Sequence, residues 1–167
     1  MSTRWTFGLL AGVLGLGVYA GNVLATPQAG VTTTMVARQI HLEPSDIHAH
    51  TTPANRWQVG LRTHGDSDAY VVQNTFAPDG TTGWHSHPGP SLVMVTAGEV
   101  TNYSHDEPGC SGRTYAAGQS FVDEGGDHVH MLRNEGETQA VTVAVQILPE
   151  GADRRIDKPV PEVCESN

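Results

Sequence analysis

The side chains of this 167-residue chain that could do chemistry are concentrated in two short stretches. One is Trp84-His85-Ser86-His87-Pro88-Gly89-Pro90, and the other, about forty residues on, is His128-Val129-His130 with Asn134. Two histidines separated by one residue on an extended segment point to the same side, so both imidazoles can converge on one ion. First-row transition metals bind imidazole nitrogen well, and three such ligands on one face leave open positions for water, dioxygen or substrate. His85 and His87 share parity, as do His128 and His130, so up to four donors could converge. His48-Ala49-His50 has the same spacing but no companion motif and is read as a surface pair. His41, His64 and His105 have no partners at ligand spacing.

These residues need a frame, and the mature chain reads as strand and turn throughout. Candidate strands are 57–63, 69–77, 92–97, 100–103, 120–122, 128–133 and 140–148, with turns at Pro78-Asp79-Gly80, Pro88-Gly89-Pro90, Gly125-Gly126 and Asn134-Glu135-Gly136. Within 140–148, Val141, Val143, Val145 and Ile147 share one face and the other is small or polar, the pattern of a strand covered on one side by its valines. Residues 31–35 could add a strand, and Glu43-Pro44-Ser45-Asp46 reads as a turn or short helix start. No helical periodicity is sustained beyond the N-terminal segment. Short strands at this spacing predict an all-β sandwich or barrel.

Length and composition agree with one domain. A chain of 167 residues that is 38% hydrophobic can bury one core. Nine basic against eighteen acidic residues give a net charge of -9, which disfavours a nucleic-acid or anionic-membrane partner. The first 25 residues read as a secretory signal: Arg4 precedes an uncharged, apolar, Gly-rich run, and Val23-Leu24-Ala25 has the small-residue pattern of a cleavage site. The run falls short of the roughly 20 strongly apolar residues of a bilayer span. An extracytoplasmic product, secreted or periplasmic and without a stable membrane span, is expected.

An oxidising destination gives meaning to the two cysteines. Pairing Cys110 with Cys164 would pin the C-terminal tail to the domain, and in the chain-entropy model closing such a loop is worth about 4 kcal/mol. The alternative is two free thiols.

Gly80 to Gly98 resembles the first cupin motif, with His85 and His87 in the two histidine positions and Gly98 in the closing glycine. Gly118 to Asn134 resembles the second, through Gly118, Gly126, His130 and Asn134, although Glu124 stands where proline is expected and the glycine-to-histidine spacing carries one additional residue. The motif's glutamate position is occupied by Ser91. The resemblance implies a small single-domain barrel (jelly roll), divided as signal 1–25, N-terminal extension 26–55, barrel 56–149 and tail 150–167.

It further implies one divalent transition metal (Fe, Mn, Ni, Cu or Zn) held by His85, His87 and His130, with His128 as an alternative ligand or pocket neighbour. Trp84, Ser91 and Tyr103 would line the pocket. Asp123, Glu124 and Asp127 could replace the missing carboxylate but are read as caps of a solvated turn. The implied activity is a mononuclear metal-dependent oxidoreductase of the dioxygenase type acting on a small molecule. The other reading is a non-catalytic module that binds a metal or small ligand. Sugar isomerases on the same fold would need an acid/base pair that is not identified in the sequence. Exposed edge strands in such barrels are often covered by a partner chain, so a homodimer is expected.

Overall fold

A computed structural model describes residues 25–50 and 57–165. The expected signal falls almost entirely on residues 1–24, outside the described residues. Twelve strands run in chain order: β1 (Ala29–Leu42), β2 (Asp46–His50), β3 (Gln58–Arg62), β4 (Ser67–Thr81), β5 (His85–Ser86), β6 (Ser91–Ala97), β7 (Glu99–Ser104), β8 (Arg113–Ala116), β9 (Ser120–Asp123), β10 (His130–Arg133), β11 (Ala140–Pro149) and β12 (Ile156–Asp157). Two 3-10 turns, Pro108–Cys110 and Glu162–Cys164, are the only helical pieces among the described residues. None of them approaches the length of a membrane-crossing helix.

Ten strands form one nearly closed, antiparallel sheet barrel with jelly-roll pairing. One wall is β1-β4-β11-β6-β9 and the other is β12-β5-β10-β7-β8. They join where Arg133 pairs with Thr81. The hairpin β2-β3 forms a separate two-stranded sheet. Phe76, Val93, Val95, Val100, Phe121, Leu132, Ala140 and Ala144 pack between the walls as the main core. Gly98 turns β6 into β7 at φ +64, and a Cβ there would lie 2.7 Å from the Gln139 carbonyl oxygen, so no larger residue fits this hairpin.

Within the N-terminal extension, β1 pairs with β4 along almost its whole length and so belongs to the barrel wall. Three expectations are corrected. Gln58–Arg62, expected inside the barrel, pairs only with β2, and Asp46 begins a strand where a turn or helix start was read. On β11 the buried face is Ala140, Thr142, Ala144, Gln146 and Leu148, while the valine face is half-buried. Ala140 and Ala144 of this face pack into the main core with Phe76 and Phe121, and Thr142, Gln146 and Leu148 are buried on the same face. The valines are what remains for the outside.

The tail is also part of the structure. Cys110 and Cys164 form a disulfide, and β12 pairs with β5 at Asp157–His85 and Ile156–Ser86. Residues 150–165 therefore close over the strand that carries the first histidine.

Candidate metal centre

Register places the three histidines together. His130 on β10 is the direct cross-strand partner of His85 on β5, so their side chains leave the sheet side by side. His87 follows two residues after His85 and keeps its face. Their ligand nitrogens lie within 4.8 Å of one another. All three side chains are buried, with relative exposures of 2–4%.

Each imidazole is already committed at Nδ1. His85 Nδ1 donates to the Gly83 carbonyl at 2.9 Å, His87 Nδ1 to the Arg154 carbonyl at 2.6 Å, and His130 Nδ1 to Asn102 Oδ1 at 3.1 Å. A carbonyl oxygen only accepts, so the proton sits on Nδ1 and each Nε2 turns a lone pair inward. Burial holds His85 well below the ordinary histidine range, reinforced by His130, Arg155 and His87. Burial likewise lowers His87 and pushes His130 down to about 4, against the opposing pull of Asp123. The imidazoles are thus neutral at neutral pH, the form that ligates metals.

A carboxylate stands beside them. Asp123, at the end of β9, is 1% exposed, and its Oδ2 lies 3.7 Å from His130 Nε2 and 4.0 Å from His87 Nε2. Neither Asp123 Oδ2 nor His130 Nε2 has a hydrogen-bond partner. Buried lone pairs that face one another with no donor between them are costly, and a cation is the group that would satisfy them. The donor set therefore fits a divalent metal ion.

The cavity above the histidines has room of about 30 Å³ and is lined by Asn74, Ser91, Gln146, Arg154 and Arg155 among others. Ser91 Oγ accepts from Gln146 Nε2 at 2.8 Å, and Gln146 Oε1 accepts from Arg154 at 3.2 Å. Arg155 pairs with Asp157 at 2.6 Å and donates to the Thr82 carbonyl. Arg154 forms no ion pair among the described residues.

The expected pocket residues divide. Ser91 lines the cavity, but Trp84 and Tyr103 do not: they stand on the other side of the wall with Cys110, Met131 and Cys164. Alternation is the reason. Trp84 precedes His85 on an extended segment, and Tyr103 is opposite Met131, the residue after His130, so both face away from the histidines. Tyr103 hydrogen-bonds Glu135 and is raised to about 12, chiefly by burial. His128 lies before β10 begins. Its Nδ1 is 2.8 Å from Asp123 Oδ1 and its Nε2 2.9 Å from Ser104 Oγ, so it backs the carboxylate instead of joining the three histidines.

His105 contacts Asp106 at 2.9 Å beside His128. His48 is exposed against Asp46, as a surface pair should be. Asn134 holds its turn through the Ala77 and Thr138 carbonyls and the Gly136 N–H.

No family model matches the sequence, and no curated protein does. Solved structures do. The polyketide cyclase RemF from Streptomyces resistomycificus is similar at 13% identity and a TM-score of 0.53, over 84% of this chain and 80% of that one. A Cupin_2 domain of an XRE family transcriptional regulator from Enterobacter cloacae is similar at 14% identity and a TM-score of 0.45, over 72% of this chain and 97% of that one.

The chain has the cupin fold. Recombinant oxalate oxidase in complex with glycolate is similar at 24% identity and a TM-score of 0.48, over 74% of this chain. The chain spans 53% of that oxalate oxidase's length. Identities at this level speak to fold alone, and what this chain does has to be argued from its own residues.

Several of those residues were not visible in the sequence. Gln146, Arg154 and Arg155 come from β11 and the tail, and only the fold brings them to the cavity; Asn102, on β7, reaches His130 Nδ1 from the neighbouring strand. Asp123 was visible but misread, because Gly125-Gly126 behind it suggested a solvated turn. The turn is instead packed against the one after His87: Gly126 N–H donates to the His87 carbonyl at 2.7 Å, and a Cβ on Gly125 would lie 2.2 Å from the Gly89 carbonyl oxygen.

Proposed function

We propose that the protein is an extracytoplasmic, metal-dependent oxidoreductase of the dioxygenase type that acts on a small anionic molecule, with one divalent transition-metal ion held by His85, His87 and His130. The observation that carries this reading is the convergence of three buried Nε2 lone pairs whose Nδ1 groups are already bound to oxygen acceptors. When bound, such an ion supplies Lewis acidity, open coordination positions and, if redox-active, electron transfer.

The chain's own residues supply binding and exclusion of water. Arg154 and Arg155 line the cavity, and Asp157 balances only the second of them. An anionic substrate would answer the remaining charge, and a guanidinium binds a carboxylate through two parallel hydrogen bonds. A water-sized site needs about 10–15 Å³, so a cavity of about 30 Å³ favours a substrate of few heavy atoms. The Cys110–Cys164 disulfide and the signal-like N-terminus support export, because disulfides persist in oxidising compartments.

Metal analysis of the mature protein, purified without chelator, tests the centre: one ion per chain, lost in His130→Ala, is expected. Oxygen uptake across short carboxylic acids, thiols and phenols then tests the reaction. Loaded protein that binds short acids without consuming oxygen would make this cupin a binding module.

A further inference from the structure

Ser91 removes the carboxylate that the first cupin motif would place on β6, yet the site contains one. Ser91 and Asp123 are direct cross-strand partners on β6 and β9. The side chain one strand over thus reaches the region that the missing glutamate would have served. We propose that Asp123 is the fourth ligand of the metal centre, a carboxylate supplied from β9 in place of the residue absent from β6. The inference rests on the reading of the three histidines as metal ligands.

Three observations carry it. The first is separation: Asp123 Oδ2 is 3.7 Å from His130 Nε2 and 4.0 Å from His87 Nε2. That is too far for hydrogen bonds, and within the span of two ligand bonds of about 2.0–2.2 Å to a shared ion. The second is satisfaction. Oδ1 accepts from His128 Nδ1 at 2.8 Å and from the Gly125 N–H at 3.3 Å, whereas Oδ2, fully buried, has no partner. The oxygen left bare is the one that faces the imidazoles.

The third is support behind the carboxylate. His128 grips Oδ1, and its Nε2 meets Ser104 Oγ at 2.9 Å and Asp106 Oδ2 at 3.3 Å. Metal-binding carboxylates are held by such outer partners, which fix their orientation. His128 is therefore a positioning residue for Asp123. The set of three imidazoles and one carboxylate has the same charge as the motif predicts, rebuilt with a different strand as its source.

The test is a titration of metal-free, disulfide-bonded protein with Co(II), followed by calorimetry and by the visible ligand-field bands. Wild type should bind one ion per chain, and Asp123→Asn should bind at least tenfold more weakly with altered bands. His130→Ala serves as the control for the histidines. Unchanged affinity and bands in Asp123→Asn, with binding lost in His130→Ala, would overturn the role of Asp123 and leave the histidine centre standing. Failure of wild type to bind any first-row ion would overturn both.

Should Asp123→Asn not fold, the wild type still decides. With ¹³C-labelled aspartate, the infrared difference between metal-free and Zn(II)-loaded protein should show one aspartate carboxylate band shifting on loading. No shift would overturn the proposal. His128→Gln should fold, and its Co(II) ligand-field bands should differ from those of wild type, which a merely structural role would not produce.

Discussion

His85 and His130 are direct cross-strand partners, and together with His87 they form a buried cluster whose ring centroids lie 4.5–5.7 Å apart. The pairing joins the two motifs: the second motif's histidine is placed by β10, and β10 is placed by pairing to the first.

Loss of any one of the three imidazoles should therefore empty the site. His85→Ala, His87→Ala and His130→Ala are each expected to drop bound metal from one per chain to near zero, measured by elemental analysis. His48→Ala, on the exposed β2 hairpin, should leave it unchanged. Retention of the ion by all three variants would place the metal elsewhere.

Metal removal should lower thermal stability, since a ligand that binds only the folded state stabilises it by mass action. At an ion concentration about 100 times Kd the gain is about 2.7 kcal/mol. For a domain of this size that corresponds to a rise in Tm of about 5–10 °C. Melting curves with and without chelator check this.

The metal-free protein should become less stable in acid. His130 is lowered to about 4 in the fold against an ordinary 6.5, so below about pH 6.5 the unfolded chain takes up a proton that the folded site refuses. Stability should fall as pH drops from about 6.5 toward 4 and level off below that. The His130 share is about 3 kcal/mol, with His85 and His87 adding in the same direction. Denaturant melts of metal-free protein across this range, compared with His130→Gln, would show it. An identical pH slope in the variant would contradict the assignment.

What the sequence made legible was whatever depends on local periodicity. His85 and His87 share a face at spacing two, Gly98 closes a hairpin that admits no side chain, and β4, β6, β7 and β11 follow their apolar runs. Illegible was whatever depends on which strand lies opposite. Trp84 and Tyr103 were assigned to the pocket without a register, and parity turns both away. Asp123 and Ser91 are thirty-two positions apart in the chain and neighbours only across β6 and β9. The inward face of β11 was inverted because alternation shows that two faces differ and not which one the barrel closes over.

Arg154 offers a way to separate substrate binding from the metal. Its carbonyl holds His87, and its guanidinium donates to Gln146 and lines the cavity with no ion pair among the described residues. Arg154→Ala keeps the carbonyl and removes the cation. Metal content should be unchanged, while affinity for small carboxylates falls about tenfold or more, in line with the roughly 1.5–3 kcal/mol of a hydrogen bond to a charged group. Calorimetric titration of metal-loaded protein with short mono- and dicarboxylates measures this. Equal affinities for wild type and variant would exclude Arg154 as the anion contact.

The disulfide should matter to the site as well as to stability. Cys110 and Cys164 are separated by 54 residues, which in the chain-entropy model corresponds to about 4 kcal/mol of stabilisation. Between them in the chain lie β12, which pairs with β5, and Arg154 and Arg155. Freeing the tail at Cys164 loosens the segment whose carbonyl orients His87. Cys110→Ser/Cys164→Ser should therefore melt lower and also bind metal more weakly. A control that lowers stability elsewhere, such as Val95→Ala in the core, should melt lower and keep its affinity. If the double variant lost stability alone, the tail would be a clamp on the fold without a part in holding His87.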